Sequence, residues 1–166
     1  DTFELNASTG VPADGTNRAF RAAIGRRETA GIARGVGLSL DKRIPVAAGL
    51  GGGSSDAAAV LRGCNVLWGC GQDDANLIEL AGEIGSDPPF FLAGGTATVS
   101  GRGEIVRPLP DAIAPELLLA TPPPQHRGDK TAAMYGALRP AHFSDGDVTL
   151  GLEEVVEAGR SIVEAE

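Results

Sequence analysis

The chain has 166 residues, of which 42% are hydrophobic, enough for one packed core or for a piece of a larger protein. Lys and Arg number 14 against 22 Asp and Glu, a formal net charge of −8, and no basic run is interleaved with aromatics. That balance argues against nucleic acid as the partner and for a small molecule held by local groups that overcome the global charge.

No run of 18 apolar residues suggests a membrane helix, and residues 1–20 lack the basic and apolar regions of a secretory signal. The cysteines are Cys64 and Cys70, which fit reduced thiols in a cytoplasmic setting better than a disulfide framework. Gly and Pro number 24 and 11, about a fifth of the chain and below the roughly 25–30% that signals disorder. His126 and His142 have no Cys or His at ligand spacing, so both read as surface residues and no metal site is expected. No internal repeat is visible.

Residues 1–15 end in the turn Pro12-Ala13-Asp14-Gly15, and Thr16 or Asn17 can cap a helix from Arg18 to Arg26 with Phe20, Ala23 and Ile24 on its apolar stripe. Val36, Leu38 and Leu40 alternate as a strand, and Pro45 marks its exit. From Ser54 the period changes. Ala57, Val60, Leu61, Cys64, Leu67 and Trp68 form the buried face of a helix that Gly69 ends, with Trp68 read as core. A further helix after Asp73 or Asp74 turns Leu77, Leu80, Ala81 and Ile84 inward and ends at Gly85. Asp87 before Pro88 is a helix start, with Asp87 as a natural N-cap. Thr96–Ser100 and Ile105–Leu109 flank Gly101-Arg102-Gly103-Glu104 as a hairpin. Glu116–Ala120 reads as a short strand, Thr121-Pro122-Pro123-Pro124 as a stiff connector, and Thr131 as the cap of a helix to Leu138. Gly151–Glu166 reads as an acidic helix with Leu152, Val155, Val156 and Ile162 on one side.

The stretch Gly49-Leu50-Gly51-Gly52-Gly53-Ser54-Ser55-Asp56-Ala57-Ala58-Ala59 carries the chemistry. Glycines let the backbone approach a ligand, several N–H groups can converge, and the helix behind adds unpaired N–H groups and the positive end of its dipole. Together these make an anion site, most often for phosphate. Ser54 and Ser55 add hydroxyls, and Asp56 suits the first turn. A side chain at Gly52 is expected to fill the phosphate space and to meet a positive φ. The alternative is a plain glycine turn before a capped helix. No Lys precedes the serines, which disfavours a Walker loop, and Gly49-x-Gly51-x-x-Ser54 is a weak match to the dinucleotide fingerprint of a Rossmann unit.

"KRIPVAAGLGGGSSDAAAVLRGCNVLWG" resembles the phosphate-binding motif of the GHMP kinases. "NRAFRAA", "GSDPPFFLAGGTATVSGRGE" and "KTAAMY" resemble further family segments in the right order, over roughly residues 14–138. The triple glycine with Asp87-x-Pro89-Phe90 is most similar to members acting on cytidine-diphosphate-linked methylerythritol in non-mevalonate isoprenoid precursor synthesis. The resemblance implies an α+β fold of the ribosomal protein S5 domain 2-like type, a mixed sheet covered by helices, with an ATP-binding domain over 1–120 and the start of a second domain over 121–166.

It also implies ATP and Mg²⁺ as cofactors and phosphoryl transfer to a small-molecule alcohol, with no membrane or nucleic-acid partner. The phosphates would lie along Pro45, Val46, Ala47, Ala48, Gly49, Leu50, Gly51, Gly52, Gly53, Ser54 and Ser55. Asp87 would accept or polarise the substrate hydroxyl proton. Lys42 stands either near the nucleotide or as a solvated charge at the strand end, and Asn17 either near adenine or as a helix cap. Thr131 and Tyr135 would contact substrate, the Tyr135 ring covering a cytosine face. The family's first strand carries a lysine beside the substrate hydroxyl, and nothing in residues 1–15 resembles it. The sequence therefore reads as the middle of such a kinase, incomplete at both ends and inactive at this length, with an open sheet edge that could drive association. A nucleotide-binding remnant without turnover is the alternative, and a Rossmann dinucleotide binder the more distant one.

Overall fold

A computed structural model describes residues 2–8, 10–46, 48–113, 116–120 and 130–161, with the backbone alone for 130–132. Ala47, His126, the proline connector after Ala120, and Ile162 lie outside the described residues. The chain divides into two compact units, Asp1–Pro108 and Leu109–Glu166.

In the first unit, β1 (Phe3–Ala7) and β2 (Val36–Leu40) pair in parallel, in register from Phe3 with Val36 to Ala7 with Leu40. Parallel neighbours need a crossover, and α1 (Arg18–Ala30) supplies it. Val36, Leu38 and Leu40 turn inward as their alternation predicts. β1 is a strand where the sequence suggested only an approach to a turn. Its segment, FELNA, alternates as well, but it is five residues long and has no β-branched side chain to signal it. Phe3 anchors it, edge-on to Phe20 at 5.8 Å between centroids and under the Arg27 guanidinium at 4.4 Å.

Asn17, rather than Thr16, caps α1: its Oδ1 accepts the Ala19 N–H at 2.9 Å. Thr16 is instead tied through its N–H and hydroxyl to Asp14, and those bonds hold the Asp14 carboxyl below its usual range. The helix runs past Arg26 to Ala30 and closes on Gly31, which sits at φ 62° and returns its N–H to Arg27 and Glu28.

Helices α2 (Gly52–Leu67), α3 (Asp74–Ile84) and α4 (Pro88–Ala93) follow, then the strand pair β3 (Thr96–Ser100) and β4 (Ile105–Leu109). Ala22, Ala57, Ala58, Leu61, Leu77, Leu80, Ala81, Ile84 and Leu92 make one apolar core among the four helices. Ala23, Cys64 and Trp68 make a second, against the inward residues of the parallel strands. Trp68 is core, as its spacing implied. Leu67 is not: it is 60% exposed, because at 3.6 residues per turn it lies about 120° around α2 from Leu61. Burial pushes the Cys64 thiol above its usual range, against the pull of the Arg26 charge.

Arg26 is fully buried. Its Nη2 donates to Asn65 Oδ1 at 2.8 Å, while Nε and Nη1 have no partner among the described residues. Each buried donor left unmade costs about 1–3 kcal/mol. Asn65 does not depend on Arg26, since it also bonds both backbone groups of Gln72. Arg26→Met keeps the unbranched stem and removes the orphan donors. The expected result is a gain of about 1–3 kcal/mol in urea denaturation; a lower midpoint would show that the guanidinium is satisfied in solution.

In the second unit, α5 (Lys130–Gly136), a 3-10 turn at Pro140–His142 and α6 (Asp147–Glu157) are joined by irregular chain, with one bridge from Ile113 to Ser161. Glu116–Ala120 is not the expected strand. It is irregular, and Leu117 and Leu118 are 85% and 97% exposed, so no neighbouring strand satisfies the run. The last helix starts four residues before Gly151, after Gly146 at φ 94°, and ends at Glu157 before Gly159 at φ 66°. Val155 and Val156 are buried, whereas Leu152 is 42% exposed. The α+β class is as expected. No helix among the described residues is long and apolar enough to cross a membrane.

Candidate functional site

The glycine stretch becomes the entry to α2. Gly51 occupies the N-cap position at φ 66°, with no side chain capping the helix, and α2 begins at Gly52. The positive φ therefore falls at Gly49 and Gly51, not at Gly52 as the sequence suggested. Ser54 and Ser55 both return their N–H groups to the Gly51 carbonyl, at 2.9 Å each. Among the described residues, no backbone acceptor takes the N–H groups of Leu50, Gly51, Gly52 or Gly53. These donors, at the positive end of a 16-residue helix, are what an anion cradle requires. Gly49 faces open space, with nothing within 4 Å of a built Cβ.

Asp87 stands at the start of α4, yet its side chain makes no cap hydrogen bond. Its Oδ2 instead accepts the Ser54 hydroxyl at 3.3 Å. Ser54 is fully buried and accepts, in turn, the Arg18 Nη1–H at 2.8 Å. Three further contacts lock α4 to α2. The Phe91 ring lies where a Gly51 side chain would be, 2.6 Å from its Cβ position. Arg62 of α2 donates to the Leu92 carbonyl at the end of α4. Leu92 itself sits in the shared core. The acid is thus held on a short rigid helix against the glycine turn.

Lys42 is drawn to the same place. Its ammonium bonds Asp56 Oδ2 at 2.6 Å, with the Lys42 side chain 11% exposed, and lies 2.9 Å from the Cβ position of Gly52. A freely solvated charge does not fit that burial. Its N–H is fixed by the Ser8 hydroxyl at 3.1 Å. Asp56, expected to act on the helix dipole, is the partner of this lysine. The Asn17 amide is engaged on the chain itself, by Ala19 N–H and by donation to the Pro12 carbonyl at 2.8 Å.

Gly49, Leu50, Gly51, Ser86, Asp87, Phe90, Phe91, Val99 and Gly103 line a cleft of about 350 Å³. It joins the glycine turn to the acid. Pro45, Val46 and Ala48 lie on the exposed approach to it in sequence, before Gly49. A wider recess of about 400 Å³ at the start of the parallel strands holds Glu4 and Arg34 but none of the expected site residues. Thr131 and Tyr135 are on α5 in the second unit, with Tyr135 71% exposed. No three His, Cys, Asp or Glu side chains gather as a metal set among the described residues. The sequence reading missed Arg18, Phe91 and the pairing of Lys42 with Asp56. Arg18 had one signal, a cation directly after the helix cap.

Residues 17–95 match the GHMP kinases N terminal domain. The chain is 48% identical over 133 residues to the 4-diphosphocytidyl-2-C-methyl-D-erythritol kinase of Dehalococcoides mccartyi, covering 80% of this chain and 47% of that one. It is likewise 48% identical over 138 residues to the enzyme of that name from Geobacillus thermodenitrificans, covering 83% and 47%. The chain thus spans about half the length of the curated relatives it matches. Among solved structures, a 4-(cytidine 5'-diphospho)-2C-methyl-D-erythritol kinase superposes with a TM-score of 0.65 at 34% identity, over 96% of this chain and 56% of that one. A homoserine kinase from Cytophaga hutchinsonii, 19% identical with a TM-score of 0.61 over 95% and 56%, shares the fold. With its glycine-opened helix and facing acid, the chain belongs to the GHMP kinase family.

Proposed function

We propose that this chain is the nucleotide-binding part of a kinase that transfers the γ-phosphoryl group of ATP to the 2-hydroxyl of 4-diphosphocytidyl-2-C-methyl-D-erythritol. The observation that carries this reading is the meeting of Asp87 Oδ2 with the Ser54 hydroxyl, 3.3 Å apart, which puts a carboxylate at the mouth of an open anion cradle. The relatives' name supports the substrate.

The phosphates lie on the N–H groups of Leu50 to Gly53, and Lys42 adds a nearby cation. Asp87 takes the proton of the attacking hydroxyl, within reach of the cleft beside the loop. Ser54 and Asp87 would be the oxygen donors of this chain to a Mg²⁺ bound with the phosphates, which would supply charge neutralisation of the transferring group. Catalysis is mainly positioning and charge stabilisation. Asn17, with its amide already engaged, serves the nucleotide by fixing the start of α1. The exposed Tyr135 ring is free to stack on cytosine, with Thr131 one turn earlier. A Rossmann reading is disfavoured by residues 41–51, which separate β2 from α2 where a dinucleotide loop turns directly from strand to helix.

Differential scanning with ATP–Mg²⁺, CTP and NAD tests the binding half. ATP–Mg²⁺ raises the melting temperature in a concentration-dependent way, and NAD does not. Stabilisation by NAD alone overturns the reading. The 166-residue chain is expected to bind ATP weakly and to show no measurable transfer. Turnover belongs to the protein at the length of its relatives; ATP binding there without turnover on the cytidine substrate would favour a remnant.

A further inference from the structure

Asp87 is held by a hydroxyl whose own direction is set by something else. Ser54 Oγ has one proton to give and two lone pairs to accept with. A guanidinium has donors and no acceptor, so the Arg18 Nη1–H takes one lone pair at 2.8 Å, which leaves the Ser54 proton to point at Asp87 Oδ2, 3.3 Å away. Ser54 is fully buried, so its hydroxyl has these two partners rather than water, although Arg18 and Asp87 themselves reach solvent. Asp87 has no cap bond to orient it. Arg18 makes no ion pair with a carboxylate among the described residues, and its Cδ runs beside Gly53, 3.8 Å from that residue's Cβ position.

We infer that Arg18 is a positioning residue for phosphoryl transfer: through Ser54 it fixes the rotamer of Asp87, so that one carboxylate oxygen is tethered and the other is presented to the substrate hydroxyl. This rests on the kinase reading above. Arg18 opens α1 and Ser54 lies 36 residues later in α2, so the relay also ties the base's orientation to the packing of these two helices.

The test is steady-state kinetics on the protein at the full length of its relatives. Arg18→Leu lowers kcat by about 10- to 100-fold, the scale of a misplaced catalytic group, while KM for ATP stays within about threefold. The melting temperature barely moves, since Arg18 is exposed overall. Arg18→Lys, which keeps a charged donor, recovers most of the loss. The decisive arm is the double variant. If Arg18 acts through Ser54, adding Arg18→Leu to Ser54→Ala lowers kcat at saturating ATP by less than about twofold more. Losses that multiply would overturn the relay, as would an Arg18→Leu enzyme of normal kcat. A raised KM for ATP at unchanged kcat would make Arg18 a phosphate contact instead and likewise overturn it. Absence of kinase activity in the unsubstituted protein would reject the function reading itself, a result separate from all of these.

Discussion

Asp87→Asn, made in the protein at the length of its relatives, lowers kcat by on the order of 10²–10⁴ and leaves ATP affinity within about threefold. The substitution isolates proton handling unusually well here. The Asp87 side chain makes no cap bond, so α4 loses no terminal hydrogen bond, and Pro88 and Pro89 continue to set the first turn. The amide oxygen can still accept from the Ser54 hydroxyl that Asp87 Oδ2 accepts from at 3.3 Å. What disappears is the charge and nearly all of the basicity. The backbone N–H groups of the glycine turn, proposed above to hold the phosphates, are untouched. Separate measurement of kcat and of ATP affinity decides the matter: a normal rate rejects Asp87 as the proton acceptor, and a collapse of ATP affinity would place it on the nucleotide instead.

The part of this site that the sequence announces is the part written in one continuous stretch. Glycine density before an alanine-rich start marked the turn that opens α2, and Asp-Pro marked the start of α4. The helical period found the buried faces of α2 and α3, because Leu61, Leu77 and Ala81 sit at the centre of their stripes. Leu67 fell outside because one residue of phase error at a helix end moves a side chain from core to solvent. Two things were illegible for physical reasons. The backbone conformation of each glycine depends on where α2 begins, and a shift of one residue moves the left-handed position from Gly52 to Gly51. The side-chain pairs that assemble the site join residues 14, 33 and 36 apart in sequence, which no local pattern records. Glu116–Ala120 failed for a related reason: an apolar run becomes a strand only where another strand accepts its hydrogen bonds, and among the described residues none does.

Substitution of the two adjacent glycines separates the roles of backbone and space. Gly51→Val places a β-branched residue at φ 66°, a left-handed conformation that costs about 1–2 kcal/mol, and sets its Cβ 2.6 Å from Phe91 Cζ and 2.8 Å from Cε2. Phe91 packs against the main core, so its ring cannot retreat without opening that packing. The expected result is a loss of roughly 2–4 kcal/mol in urea denaturation, with α4 displaced from α2. ATP affinity and kcat then fall together, since the cradle and Asp87 are carried by the two elements forced apart. Gly52→Val meets helical backbone and no φ penalty. Its Cβ comes within 2.9 Å of Lys42 Nζ and of Ile44 Cγ2. The first is the end of a flexible chain that can swing away, and Ile44 is 37% exposed and can follow. The fold loses about 1 kcal/mol or less. The displaced ammonium parts from Asp56, and the new methyl groups crowd the N–H groups of the glycine turn. ATP affinity drops by about tenfold or more, with the protein still folded. The pair is therefore ordered oppositely in two measurements: Gly51→Val is the worse for stability, whereas Gly52→Val damages binding out of proportion to its stability loss. A Gly51→Val protein as stable as the parent would remove the Phe91 contact from the account. Unchanged ATP affinity in Gly52→Val would remove the cradle.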